Sequence, residues 1–582
     1  MLPSCEGRMP FGAKVHDEPS TGPALIELNL SRGLSERGVS SLFGAMPGTG
    51  YADALRIVEG LDDKDDKAIF VRLGTGTMGF SVALELGERL ERVRKERGLE
   101  VFCHADDLSN ATMLFASKGC SKIWLSPAGG VESVGIAFSL IFGRSLLDKL
   151  SVGVDFLQVG KYKGAQEPYT RDEPSPEARE SLEGTLRDLR KAWIDAVSAG
   201  RGKSLEAALE DGPHTAKAAL ELGLIDEIGY VDEARDASKK ASGAERTQIV
   251  FGPGTRNEGG GFSQIIRSLS GADVEGVPHV AVVRAVGAIT MGPSGGLGGG
   301  DGITESGLGK VIKQLEEDES AKAVVLRIDS PGGSALASDL LWHRLMKLRA
   351  KKPLIISVGG MAASGGYYLS CSGTKIFAEP TSIVGSIGVV AGKFALHDTL
   401  RKIDVNTVTI SVAPDETRRN RASYLSPFDR WDDATKAKVL TGMESIYETF
   451  LDRIVEGRKL DRAVVSASAE GRIFGGATAK ERQLVDEIGG LDAAIKYALE
   501  QSGLGPEGKV RLRDQPPGLL EMLGGDPEAA EAAAERAREQ IDPLAKLGEN
   551  LPEETRTWFA SATPMMQGET FITALPFVLM TR

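Results

Sequence analysis

Short apolar runs alternate with longer amphipathic segments along most of the chain. Ile26-Glu27-Leu28-Asn29-Leu30 reads as a first strand and Ala68-Ile69-Phe70-Val71-Arg72-Leu73 as a second, followed over residues 81–97 by helical periodicity with charges on the outer face. Strand Val101-Phe102-Cys103-His104, a helix near Ala111 and strand Lys122-Ile123-Trp124-Leu125 continue the series. This alternation predicts βα units around a largely parallel sheet. Residues 235–276 change character, with Lys239-Lys240, Gly252-Pro253-Gly254 and Gly259-Gly260-Gly261, and read as an interdomain connection. After it Val280-Ala281-Val282-Val283 starts the same programme again. Two further buried strands follow, residues 323–329 and residues 353–358, the second ended by Gly359-Gly360. The glycine-rich residues 292–302 lack a terminal Lys-Ser/Thr and so read as a mobile loop, not a phosphate cradle.

The repetition extends to individual residues. Ser117-Lys118-Gly119-Cys120-Ser121-Lys122-Ile123-Trp124 matches Ser370-Cys371-Ser372-Gly373-Thr374-Lys375-Ile376-Phe377 at an offset near 253, and Glu132-Ser133-Val134-Gly135-Ile136 matches Gly385-Ser386-Ile387-Gly388-Val389 in the same register. Leu224-Ile225-Asp226-Glu227-Ile228-Gly229 likewise matches Leu484-Val485-Asp486-Glu487-Ile488-Gly489. Two copies of one domain are therefore expected. The boundaries are an N-terminal segment 1–50, a first repeat 51–235, a linker 236–276, a second repeat 277–504 and an extension 505–582.

Composition narrows the function. The 582 residues allow several domains, and a net charge of −13 with a pI near 5.3 argues against a nucleic-acid surface. Cys5, Cys103, Cys120 and Cys371 show no paired metal spacing, and Cys103 and Cys371 sit in apolar surroundings as inert core residues. Neither a metal nor a cofactor is expected. The first twenty residues lack the apolar core of a signal peptide and no long apolar span occurs, so the chain as written reads as soluble or peripheral. Leu2-Pro3-Ser4-Cys5 faintly resembles the end of a lipoprotein signal.

The chemistry concentrates around Met361-Ala362-Ala363-Ser364-Gly365-Gly366-Tyr367-Tyr368. A serine flanked by small residues at a strand-to-helix junction can present its hydroxyl to a substrate backbone without Cβ clashes. Upstream, Ser330-Pro331-Gly332-Gly333-Ser334 could aim backbone N–H groups at a developing oxyanion. None of His16, His104, His214, His279, His343 and His397 lies in a motif that pairs with Ser364, and no GxSxG elbow is present; a Ser-His-Asp triad assembled in space stays open, although nothing in the sequence recommends one, and a lysine base is the remaining common solution. The repeats have diverged where such chemistry would sit. Ala111 occupies the first-repeat position equivalent to Ser364. Only the first repeat carries Gly160-Lys161-Tyr162-Lys163-Gly164-Ala165-Gln166-Glu167-Pro168.

Together, Ala363-Ser364-Gly365-Gly366-Tyr367-Tyr368, Ser330-Pro331-Gly332-Gly333-Ser334, Gly385-Ser386-Ile387-Gly388 and Lys161-Tyr162-Lys163-Gly164-Ala165 resemble the long, tandem-repeat form of the signal peptide peptidase A family of serine proteases. The resemblance covers roughly residues 55–500. It implies Ser364 as nucleophile, Lys163 as general base with Lys161 as rival, Ser386 orienting the lysine, and Gly332 with Gly333 as oxyanion-hole donors. A lysine base must be neutral, so burial among small residues has to lower its pKa, whereas a carboxylate from Glu167 beside it would raise it. The resemblance further implies an α/β fold of tandem duplicated crotonase-like (ClpP/crotonase) ββα superhelical domains. It implies a bowl-shaped homotetramer with sites built between neighbouring subunits, peptide substrates such as cleaved signal peptides, and no cofactor.

The implied location is the inner membrane facing the periplasm, with peripheral membrane contact, against a cytoplasmic alternative. The functional alternatives are a crotonase-type acyl-CoA enzyme and an inactive, protease-derived scaffold. The amphipathic residues 175–198, with Ser175 as cap and Pro176 at the first helical position, and 434–456 would serve subunit packing or form solvated faces. Outside the resemblance, residues 526–540 have helical tendency, and the apolar residues 571–580 form a core strand, a subunit contact or a membrane-touching segment.

Overall fold

The computed structural model describes residues 22–36, 40–41, 44–45, 50–61, 65–255, 276–291, 302–513, 571–574 and 580–581. The expected helix over 526–540 and most of the glycine-rich run at 292–302 lie outside the described residues.

Two sheets of one design carry the chain. In the first, β1 (Ala24–Asn29), β2 (Asp66–Gly74), β3 (Glu100–Ala105) and β4 (Lys122–Leu125) run parallel. Both faces are covered, which is why these strands are near-continuous apolar runs without polar alternation. Ile26, Leu28, Ile69 and Val71 enter one core, while Leu25, Phe70 and Phe102 enter the opposite one. The helices α1 (Phe80–Arg97) and α2 (Asn110–Gly119) supply the crossovers. Strand β5 (Gly153–Val159) leaves this sheet, and β6 (Glu227–Ile228) and β7 (Arg246–Phe251) close its two edges. Helix α3 (Pro176–Arg201) begins at Ser175, whose Oγ accepts the Ala178 N–H at 3.1 Å.

The second half repeats this path. Its strands are β8 (His279–Val286), β9 (Ala321–Ser330), β10 (Gly332–Ser334), β11 (Leu354–Ala363), β12 (Lys375–Ala378), β13 (Ile383–Gly385), β14 (Val389–Ala395), β15 (Glu487–Ile488) and β16 (Lys509–Leu512). The first sheet runs β6-β4-β3-β2-β1-β7, parallel throughout, and the second contains the parallel path β15-β12-β11-β9-β8-β16, from which β13 branches parallel to β11 and carries Ile473–Gly475 antiparallel on its other side. Strand for strand the order is the same. Helices α4 (Ala335–Lys351), α5 (Gly365–Ser370), α6 (Asp433–Arg458) and α7 (Leu491–Ser502) accompany the second sheet.

The halves are joined in two ways. One apolar core is continuous across both, bringing Leu86 and Leu90 of α1 together with Val325, Ile355, Ala494 and Ala498. In addition β5 of the first half pairs antiparallel with β14 of the second, with Val159 opposite Val389 and Gly153 opposite Ala395. This pairing carries the chain after Val159 into the second repeat. Strand β17 (Phe571–Ala574) adds to the same small sheet, antiparallel to β10 on one side and to β14 on the other.

Three expectations change. The first sheet takes in β1 and β7, so it begins before residue 51 and ends after residue 235; a parallel sheet needs its flanking strands to satisfy backbone groups, and both come from the presumed segment and linker. Strand β11 does not stop at Gly359-Gly360 but runs on to Ala363 through a change of register. Cys103 is not a free core thiol; it forms a disulfide with Cys120, whereas Cys371 is free and buried.

Candidate active site

Ser364 and Ser386 are brought together by sheet register. Ala363 pairs with Gly385 between β11 and β13, so the next residue on each strand is a serine, and the Ser364 N–H donates to the Gly385 carbonyl at 2.7 Å. Both serines have positive φ, 56° and 54°. That region is costly for a residue with a Cβ, and here it turns two hydroxyls off the strand ends toward a common point. Helix α5 starts immediately after Ser364, with Tyr368 N–H returning to the Ser364 carbonyl at 2.8 Å.

Lys163 reaches that point from the first repeat. After β5 the chain turns at Gly160, Tyr162 N–H bonds to the Glu470 carbonyl at 2.8 Å, and the lysine stem passes between two glycines. A Cβ on Gly388 would lie 3.2 Å from Lys163 Cγ and Cδ, and one on Gly471 would lie 2.4 Å from the Lys163 backbone nitrogen. Only glycine leaves room there. The Lys163 Nζ lies 2.7 Å from Ser364 Oγ, 2.9 Å from Ser386 Oγ and 2.8 Å from the Ser386 carbonyl oxygen.

These three partners suit a neutral amine. Such an amine has two N–H donors and one lone pair, which the Ser386 oxygens and the Ser364 hydroxyl proton can satisfy together. Lys163 is wholly buried, and desolvation alone pushes its pKa well below the usual lysine value. Glu167 does not interfere. It is buried, and its carboxylate accepts from the Ser175 N–H at 2.9 Å and from Ser175 Oγ at 2.5 Å. Lys161 is exposed, with its ammonium 5.1 Å from the Tyr162 ring centroid, and does not join the cluster. Of the histidines, His104, His214, His279 and His397 bond to other groups.

The glycine loop lies against the nucleophile. A Cβ on Gly366 would fall 2.7 Å from the Ser330 carbonyl oxygen, so α5 sits directly on the loop. Gly332 has φ 100° and donates its N–H to Ser330 Oγ at 3.2 Å, while Ser330 Oγ donates to the Gly287 carbonyl at 2.7 Å. Gly333 is hemmed in: its Cβ would lie 2.0 Å from the Ile289 carbonyl oxygen, and its backbone pairs with Ile289 and Thr573.

The first repeat keeps only a remnant. Ala111 is buried in the first turn of α2, and Ser133, the counterpart of Ser386, donates to Asn110 Oδ1 at 3.0 Å. The lysine, both serines and the glycine loop all come from one chain, so the expected construction between neighbouring subunits is not needed; the β5–β14 pairing performs the delivery that a second subunit would otherwise supply. Sequence reasoning missed Gly471 and Gly388 as the walls of the lysine channel. The motif Gly385-Ser386-Ile387-Gly388 held one of them in plain view, but Gly471 lies in a stretch with no distinguishing pattern.

The family described as Peptidase family S49 matches residues 93–245 and 346–505, one segment in each repeat, and the family described as Clp protease matches residues 301–384. Protease 4 of Salmonella typhi is 30% identical over 529 residues, 88% of this chain and 80% of that protein. The chloroplastic serine protease SPPA of Arabidopsis thaliana is 30% identical over 68% of this chain and 57% of its own length. Protease 4 of Haemophilus influenzae is 29% identical over 69% of this chain and 65% of its own.

Proposed function

The chain belongs to the peptidase S49 family and is a serine protease of the signal peptide peptidase type, on tandem ClpP/crotonase-like α/β repeats; from that premise we propose that Ser364 is its nucleophile and Lys163 its general base. The observation that carries the reading is the 2.7 Å separation of Lys163 Nζ and Ser364 Oγ, in surroundings where burial disfavours the charged form of the amine. Lys163 takes the Ser364 proton as Oγ attacks the scissile carbonyl, then gives it to the leaving amine. It next deprotonates the water that releases the acyl group. Ser386 holds the amine in line through its hydroxyl and carbonyl. The Gly332 N–H exchanges the Ser330 hydroxyl for the oxyanion. Gly333, hydrogen-bonded within its own sheet, is the secondary donor.

The proposed substrates are cleaved signal peptides and other extended apolar peptides. Support comes from β17, which shows that the edge of β10 accepts an extended backbone beside the glycine loop. The proposed assembly is a homotetramer, for which the second repeat offers a run of exposed apolar residues, with Val408 82%, Ile410 87% and Val412 95% exposed. The proposed location is the periplasmic side of the inner membrane, with peripheral contact. Among the described residues no helix is long and apolar enough to cross a membrane. The Cys103–Cys120 disulfide favours an oxidising compartment over the cytoplasm.

The test is hydrolysis of a leucine-rich fluorogenic peptide by the wild type, Ser364→Ala and Lys163→Ala. Loss in both variants is expected. Full activity in either refutes the dyad, and CoA-thioester turnover insensitive to Ser364 replacement would turn the reading to an acyl-CoA enzyme.

A further inference from the structure

Strand β11 reaches Ser364 only by way of an irregularity. Ile328 of β9 pairs with Val358 and Ser330 pairs with Ala362, so the single residue Asp329 stands opposite Gly359, Gly360 and Met361. Such a bulge takes backbone N–H groups out of the ladder and leaves them in need of an acceptor. The Asp329 carboxylate supplies it. Met361 N–H donates to Oδ1 at 3.0 Å, and Gly360 N–H donates to the same carboxylate. The fit is close, since a Cβ on Gly360 would lie 3.3 Å from Oδ1 and one on Gly359 would lie 3.0 Å from the Asp329 Cβ.

The same residue borders the other half of the site. Its carbonyl accepts the Gly287 N–H at 2.8 Å, and the next residue, Ser330, bonds both the Gly287 carbonyl and the Gly332 N–H. Three residues beyond Met361 comes Ser364. One side chain thus fixes the offset between the strand that ends in the nucleophile and the strand that ends in the glycine loop.

We propose that Asp329 is a positioning residue for this reaction, holding Ser364 and the Gly332 N–H in mutual register through its carboxylate; the inference rests on the Ser364–Lys163 reading. The charged and titratable groups around it are Glu36 from the N-terminal segment, Arg327 two residues earlier on β9, and behind these Glu85, Tyr51 and Arg284 of β8, whose guanidinium reaches the Glu36 carbonyl. Burial first and the Glu36 charge second push the Asp329 carboxyl up to about 7, against the opposing pull of Arg327 and the two N–H donors. Below that pH the carboxylate becomes a carboxylic acid, loses acceptor capacity toward the bulge, and the register loosens. Above it the register is held.

The experiment compares kcat/KM of wild type and Asp329→Asn across pH on the same fluorogenic peptide. Well above pH 7 the variant should be about tenfold or more slower, carried by kcat with KM nearly unchanged, because a small misplacement of reacting groups is costly. As pH falls through about 7 the ratio of wild type to variant should shrink toward one, since the wild type then loses its own carboxylate. The Lys163 limb is common to both enzymes and cancels in the ratio. A ratio of one at every pH, or a ratio that is large but independent of pH, overturns the proposal. Should Asp329→Asn fail to fold, Asp329→Ser, which is smaller and equally non-titrating, serves the same ratio test. Ser364→Ala is run alongside; if it remains active, the dyad reading falls, whereas a dead Ser364→Ala with an unchanged Asp329 ratio removes only the present inference.

Discussion

Lys163 Nζ stands 2.7 Å from Ser364 Oγ although the two residues are 201 positions apart and belong to different repeats. The β5–β14 pairing closes that distance within a single chain, from Val159 opposite Val389 onward. An enzyme that required neighbouring subunits to complete its site would show complementation between two dead variants. Mixing Ser364→Ala with Lys163→Ala under subunit exchange is therefore expected to restore no peptide hydrolysis, whatever the oligomeric state. Recovery of a sizeable fraction of wild-type activity would mean that the lysine of one chain serves the serine of another.

The buried amine also sets a pH dependence with a defined sign. The folded pKa of Lys163 is depressed by desolvation, so activity should rise with pH through that depressed value as the amine becomes neutral. Stability carries the complementary cost. Once pH falls below the unfolded lysine value, about 10.4, the unfolded chain holds a proton that the native chain resists, so the native state is penalised there and relieved above it. Lys163→Met, of similar length and without charge, should therefore melt a few degrees higher than wild type at neutral pH. The difference should close above about pH 10.4. A variant that melts lower at neutral pH would show that the lysine's hydrogen bonds outweigh its desolvation.

Much of this was legible in the sequence because it rests on local rules. The paired motifs around Ser117 and Ser370 announced a duplication, and the strand orders β6-β4-β3-β2-β1-β7 and β15-β12-β11-β9-β8-β16 express it. Ser364, Ser386 and Lys163 could be selected by motif, and they converge. What the sequence hid are relationships set by long-range register. Gly359-Gly360 resembles a strand terminator in isolation, yet Asp329 absorbs the bulge from another strand and β11 continues. Residues 246–251 look like part of a linker until β1 offers them an open edge. Cys103 and Cys120 sit on a strand and at a helix end, and nothing local reveals that their Cα atoms are 5.9 Å apart.

The glycine channel around the lysine supplies a sharper test than removal of the lysine itself. Gly471 sits at φ 89°, where a Cβ is strained, and that Cβ would meet the Lys163 nitrogen and Cα at 2.4 and 2.5 Å. Backbone cannot yield by rotamer change, so Gly471→Ala must shift the lysine segment. The expected result is a folded protein whose kcat has fallen about a hundredfold. Circular dichroism with initial-rate kinetics would check it, and near-normal turnover would mean that the lysine segment has slack that these distances do not suggest.

Strand β17 leads to the last expectation. Ile572 pairs with Ser334 of β10 and with Val390 of β14, so residues 571–574 fill the gap beside the glycine loop as a central antiparallel strand. An extended substrate seated on the same edge of β10 would need those backbone groups for itself. Ser364, Lys163 and Ser386 are all buried while β17 is in place. Proline at 572 lacks the N–H and is poorly tolerated between two strands, so Ile572→Pro should release β17 from the sheet. If the segment competes with substrate, kcat/KM on short fluorogenic peptides should rise several-fold, through a lower KM more than a higher kcat. An unchanged or lower kcat/KM would mean that β17 supports the glycine loop and that peptides reach Ser364 by another approach.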